Sequence, residues 1–174
     1  MKHIHTILTF VVLLAVCQVM SAQTTAPDYV EKLNSLYHRT VPLMTAFKLD
    51  SMMAAKAEVT ILDTRAKGEY AVSHLDGAHF IDFGKFKKKT IQAMDLDKEA
   101  PVVVYCTVGY RSERIGEKLQ KLGFSNVHNL YGGILEWVNQ GHSVLNSEGK
   151  ATEKVHTYNK KWGQWLKKGE KVYK

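Results

Sequence analysis

The sequence predicts an α/β domain built on a mostly parallel, five-stranded sheet flanked by helices on both faces. Three observations predict it. Strand-like and helix-like segments alternate from residue 41 to residue 142, the pattern of parallel strands joined by crossover helices. The run Pro101-Val102-Val103-Val104-Tyr105 is continuously apolar, as a strand covered on both faces must be. Ser112 to Leu122 then places Ile115, Leu119 and Leu122 on one helical stripe, with Gly123 positioned to end the helix.

Each element has its own signal. Residues 28–37 carry Val30, Leu33 and Tyr37 at helical spacing, with Asp28 as a candidate N-cap. Residues 41–45 suit a short edge strand, because Pro42 lacks an amide proton and is tolerated only at an edge. Residues 47–55 are helix-like and residues 59–62 strand-like. Residues 67–73 are expected to be helical, 79–82 a short strand and 85–94 a polar, basic helix. After the central strand and its helix, residues 126–130 supply the last strand and 133–139 the last helix, closed by Gly141.

A length of 174 residues suits one domain with an appendage. Hydrophobic residues at 45% and charged residues at 24% allow a sizeable core without disulfides or a structural metal. The formal net charge of +7 is uneven: residues 146–174 hold eight lysines against Glu148, Glu153 and Glu170.

The first residues read as a secretory signal. A polar start with Lys2, His3 and His5 precedes the apolar run from Ile7 to Val16, which is too short to span a bilayer. Ser21-Ala22 before Gln23 offers a cleavage point, although Met20 fits poorly at the minus-three position; an uncleaved anchor is the alternative. Leu14-Ala15-Val16-Cys17 resembles a lipoprotein box, but Val16 is bulky there, which ranks lipidation below cleavage. The expected organisation is a signal peptide over 1–22, an N-terminal helical segment over 23–40, a core domain over 41–142 and a basic aromatic tail over 143–174. The mature protein is expected in the periplasm or outside the cell, where nucleic acid is not an expected partner.

Export would remove Cys17 and leave Cys106 as the one thiol of the mature chain. A lone thiol forms no internal disulfide and has no resolving partner, which disfavours a disulfide scaffold and a thiol redox protein. Cys106 directly follows the most buried strand, and the loop Cys106-Thr107-Val108-Gly109-Tyr110-Arg111-Ser112 leads into a helix. Ligands of open α/β sheets sit beyond the carboxyl ends of the strands. A loop curled at that point turns N–H groups inward, and the helix dipole adds positive charge, so a thiolate there is stabilised. Gly109 admits backbone conformations closed to other residues, and Arg111 supplies a permanent charge with planar donors. A free cysteine is often only a small buried hydrophobe; this placement instead favours a nucleophile.

Four motifs now fall in register. Leu62-Asp63-Thr64-Arg65 with Glu69-Tyr70 and His74-Leu75-Asp76-Gly77-Ala78 is similar to the amino-terminal signature of the rhodanese family. Cys106 to Ser112 resembles its active-site loop, and Leu130-Tyr131-Gly132-Gly133 with Trp137 resembles its carboxyl-terminal motif. The resemblance covers residues 41–142. It implies an enzyme, a sulfurtransferase in which Cys106 takes sulfane sulfur from a donor such as thiosulfate or a persulfide. The resulting Cys106 persulfide passes the sulfur to cyanide, a thiol or a protein thiol. Thr107, Val108, Gly109, Tyr110, Arg111 and Ser112 would bind the anionic donor, without cofactor or metal. The alternative is a non-enzymatic sulfur-relay or protein-binding module.

Loop length separates two chemistries. A related branch, similar to the cell-cycle dual-specificity phosphatases, has five residues between cysteine and arginine. Here four intervene, a smaller cradle that suits sulfur better than a phosphoryl group. Thr107 stands where several thiosulfate-using members carry a basic residue, so a second cation for thiosulfate is not evident. Outside the loop, Asp63 is expected to form an ion pair or to brace the loop, and Arg65 to reach the mouth of the site. His74 is expected to make a structural hydrogen bond, and Gly132 and Gly133 to allow a tight turn and a close helix approach. Asp95, Asp97 and Glu99 are too spread for a metal site. In the tail, Tyr158, Trp162 and Trp165 would form an aromatic stripe if the segment were helical. They are expected to pack on the domain while the lysines face water, an anionic surface or an acidic partner.

Overall fold

The sheet forms around the strand marked as its centre. A computed structural model describes residues 25–173; the expected signal peptide, with Cys17, lies outside them. Five strands pair in parallel in the order β1-β5-β4-β2-β3: β1 Leu43–Met44, β2 Thr60–Asp63, β3 His79–Phe80, β4 Val102–Tyr105 and β5 Val127–Leu130. Every residue of β4 is buried. Alternate side chains serve opposite faces. Val103 and Tyr105 join one core with Leu33, Leu49 and Trp137, while Val102 and Val104 join a second with Ile115, Leu119 and Ile91.

Helices cover both faces. They are α1 Pro27–Leu36, α2 Ala46–Ala54, α3 Lys67–Val72, α4 Lys88–Gln92, α5 Tyr110–Lys121 and α6 Gly133–Asn139. α1 begins one residue earlier than Asp28 because Pro27, whose φ is already helical, takes the first turn after Ala26. The Thr45 hydroxyl caps α2 by accepting from the Lys48 amide at 3.2 Å. The basic helix expected over 85–94 is reduced to a 3₁₀ turn at Phe83–Lys85 and the short α4. Only Ile91 of α4 is buried, too little apolar contact to hold a longer helix together.

Two departures bear on the site. α5 starts at Tyr110, ahead of Ser112, because Gly109 at φ +101° makes the left-handed turn that launches it. Arg111 therefore sits in the first helical turn. The tail is not one striped helix. It forms β6 Val144–Leu145, β7 Ala151–Thr152, β8 Lys154–His156, the single-turn α7 Lys160–Gly163 and β9 Glu170–Val172. Tyr158 has φ +66°, which interrupts a helix, and the Asn159 side chain caps α7 by accepting from the Trp162 amide. β8 and β9 pair in parallel, and β8 packs against α3. Trp165 stacks on Tyr29 of α1 at 5.1 Å, so the tail closes over α1. No helix among the described residues is long and apolar enough to cross a membrane.

Candidate active site

Cys106 leaves the carboxyl end of β4, and its residue is only 1% exposed. Its Sγ accepts a hydrogen bond from the Gly109 amide at 3.2 Å. Tyr110, Arg111 and Ser112 open α5, where amides have no intrahelical acceptor. The thiol thus accepts from the amide of the residue that launches a helix.

The loop is held from three sides. From the N-terminal segment, Tyr37 Oη donates to the Val108 carbonyl at 2.6 Å and accepts from the Gly132 amide at 2.9 Å. A side chain at Gly109 would collide with that phenol, 2.3 Å from a Cβ placed there. From β5, Asn129 Nδ2 donates to the Gly109 carbonyl at 2.9 Å, and its Oδ1 accepts from Ser112 Oγ at 2.7 Å. From α6, the amides of Ile134 and Leu135 donate to the carbonyls of Cys106 and Thr107 at 2.9 and 3.3 Å. This approach is possible because Gly133, at φ +57°, has no Cβ; one would lie 2.4 Å from the Cys106 carbonyl oxygen. Gly132, at φ +69°, makes the preceding turn.

The fourth anchor is electrostatic. Arg111 grips Glu69 of α3 with both guanidinium nitrogens, Nη1 to Oε2 at 2.8 Å and Nη2 to Oε1 at 2.7 Å. Thr107 Oγ1 donates to Glu69 Oε1 at 3.0 Å and accepts from Arg111 Nη2 at 2.9 Å. The Ala66 amide donates to the same carboxylate. Burial alone would push the Glu69 carboxyl up, but the hydrogen bonds and charge of Arg111, the Ala66 amide and the charge of Arg65 outweigh it and hold it at about 2. Burial opposes the Arg111 charge, yet Glu69 and Cys106 raise its pKa. The Thr107 hydroxyl is thus spent on locking Arg111 to Glu69.

Of the residues expected at the site, Cys106, Thr107, Val108, Tyr110 and Arg111 line one cavity of about 300 Å³, and Gly109 donates its amide to Sγ from behind them. Ser112 is fully buried and its hydroxyl goes to Asn129, so it holds the loop and does not face the cavity. Arg65, expected at the mouth, lies in the core with no exposure. Its guanidinium pairs with Asp63 at 2.6 Å and donates to the Ser73 carbonyl. A strand-end arginine beside an aspartate two residues earlier satisfies its charge locally, which draws it inward. Asp63 forms an ion pair with Arg65, and its carboxylate also accepts from the Arg65 amide. His74 stacks on Tyr70 at 4.0 Å, with Nδ1 3.1 Å from the Tyr70 carbonyl, and takes no part in the cavity.

Sequence reasoning passed over Tyr37 and Asn129, whose positions gave no local signal, and Glu69, quoted only as part of a motif. It also missed Leu36, Tyr158 and Trp162, which complete the cavity. The aromatic spacing in the tail pointed toward the last two.

Comparison with known proteins agrees with this geometry. The Rhodanese-like domain family matches residues 45–140, more than half of the chain, and the protein belongs to that family. A curated relative, the tRNA uridine(34) hydroxylase of Erwinia tasmaniensis, is 35% identical over 83 residues, 46% of this chain and 24% of that protein. The chain therefore spans about a quarter of that relative. Among solved structures, a rhodanese-related protein from Thermoplasma volcanium is 26% identical, with a TM-score of 0.51 over 60% of this chain and 97% of that one. Thiosulfate sulfurtransferase from Pseudomonas aeruginosa shares the fold, with a TM-score of 0.58 at 20% identity over 83% of this chain and 27% of that one.

Proposed function

We propose that the protein is an exported sulfurtransferase that carries sulfane sulfur as a persulfide on Cys106. The observation that carries the reading is a buried thiol at the floor of an open cavity, hydrogen-bonded by a loop amide at the start of α5. In the first half-reaction the Cys106 thiolate attacks the outer sulfur of the donor. An S–S bond forms to Sγ, the donor's own bond to that sulfur breaks, and its electron pair leaves with sulfite, a sulfinate or a thiolate. In the second, the acceptor (cyanide, a small thiol or a protein thiol) attacks the same outer sulfur, and the pair returns to Sγ. No net oxidant is needed.

The Gly109 amide, which donates to Sγ, suits both states, because each carries an anionic sulfur at this point of the cradle. Holding the loop on four sides fixes that point before substrate arrives. The four-residue spacing to Arg111, fastened to Glu69, leaves a cradle for one sulfur. Export rests on the pattern of residues 1–22, and a compartment without reducing thiols would favour a protein persulfide. Incubation with thiosulfate, a thiosulfonate or an organic persulfide, followed by intact mass measurement, tests the reading. The expected result is a gain of one sulfur atom, abolished in Cys106→Ser; no gain with any of these donors refutes it.

A further inference from the structure

The cavity over Cys106 is walled by parts of the chain that lie outside the family match. Residues 45–140 contribute Cys106 and its loop. The opposite wall consists of Leu36, from the end of α1, with Tyr158 and Trp162 from the tail. The wall is mostly apolar, and it is not a loose flap. The Asn139 side chain holds the tail by donating to the Trp165 carbonyl at 2.9 Å and accepting from the Lys167 amide at 2.7 Å. Leu166 and Val155 are buried in the main core. Tyr158 is 52% exposed and held at φ +66°, a conformation a bulky residue adopts at a cost. Its ring lies 5.1 Å from the Arg111 guanidinium.

Charge points the same way. Among the described residues lining this cavity Arg111 is the only cation, with Lys32 Nζ lying 5.8 Å from the Trp162 ring, and Glu69 already neutralises Arg111 through two hydrogen bonds. A small dianion such as thiosulfate would find little compensating charge and would leave the aromatic wall unused. A monoanion whose reactive sulfur is attached to an apolar body meets both conditions. The volume of about 300 Å³ suits a molecule of one ring rather than a chain segment.

We infer that Tyr158 and Trp162 are specificity-determining residues, and that the sulfur donor is a small organic sulfane anion with an apolar body, of the thiosulfonate or hydropersulfide class. The inference rests on the sulfurtransfer reading above. With a thiosulfonate, Sγ bonds to the sulfane sulfur, the bond to the sulfonyl sulfur breaks, and the sulfinate leaves with the electron pair. The apolar body lies against Tyr158, Trp162 and Leu36 while the reactive sulfur meets Sγ.

The test uses two donors with one reactive group, benzenethiosulfonate and methanethiosulfonate, with Cys106 persulfidation rates measured by quenched mass spectrometry. Rates with a free small-molecule thiol correct for intrinsic reactivity. The wild-type chain should favour the aryl donor by about tenfold or more after correction. In Tyr158→Asn, which tolerates positive φ and removes the ring, that preference should fall to about twofold. Tyr158→Phe should retain the preference. Trp162→Ala should show the same loss, and a thermal melt establishes whether it remains folded. Equal rates for the two donors in the wild type, or a preference unchanged in Tyr158→Asn, overturns the inference and leaves the sulfurtransfer reading standing. Absence of persulfide with every donor overturns both.

Discussion

Replacing Glu69 with glutamine tests how the loop is held. Glu69 is 1% exposed and receives hydrogen bonds from both Arg111 nitrogens, the Thr107 hydroxyl and the Ala66 amide. Removing one partner of a buried pair costs about 3–5 kcal/mol. The Arg111 side chain keeps 18% exposure and glutamine keeps one acceptor oxygen, so we expect about 2–3 kcal/mol at neutral pH. The carboxyl sits at about 2 in the folded state against an ordinary 4.5, a drop equivalent to about 3 kcal/mol. Because the folded value is depressed, that stabilisation is complete above the unfolded value and drains as pH falls toward 2. By pH 3.5 about 1.4 kcal/mol of it is gone. Urea denaturation of both proteins at pH 7 and pH 3.5 should show the gap between them narrowing by about that amount. An unchanged gap refutes the ion pair as the source of the stability, as does a variant as stable as wild type at pH 7.

Two further changes probe the other anchors. Tyr37→Phe strands the Val108 carbonyl and the Gly132 amide, both bonded to the phenol in the wild type. It should cost about 1–3 kcal/mol in calorimetry and slow persulfidation of Cys106; a variant of wild-type stability and rate contradicts the role given to this side chain. Gly133→Ala sets a Cβ against the Cys106 and Thr107 backbone, whereas Gly77→Ala has a similar φ of +68° and nothing within 4 Å. The second should cost about 1–2 kcal/mol, from backbone strain alone. The first should cost more than about 4 kcal/mol or prevent folding. Equal melting points would show that the contact between α6 and the loop is not tight.

Much of this was legible in the chain itself. The apolar run at β4 identified the centre of the sheet, and a cysteine followed by Gly109 and Arg111 identified the strand-to-helix turn. What stayed hidden depends on distance along the sequence. Tyr37 lies 71 residues from the carbonyl it supports, and Glu69 lies 42 from the arginine it binds; no local pattern announces such pairs. Arg65 misled because burial of an arginine depends on whether a carboxylate is beside it, and Asp63 is. The tail's aromatic spacing is compatible with a helix, yet the left-handed turn at Tyr158 and the parallel pairing of β8 with β9 override it. Tertiary contacts there outweigh a weak local preference.

The central claim is that sulfur resides on Cys106 between donor and acceptor. It is tested most directly by loading the protein with donor, removing the small molecules and adding cyanide to the isolated protein. One thiocyanate should be released per chain, with the mass falling back by one sulfur atom and no product from Cys106→Ser. Thiocyanate that forms only when donor and acceptor are present together, or that persists without Cys106, would contradict it.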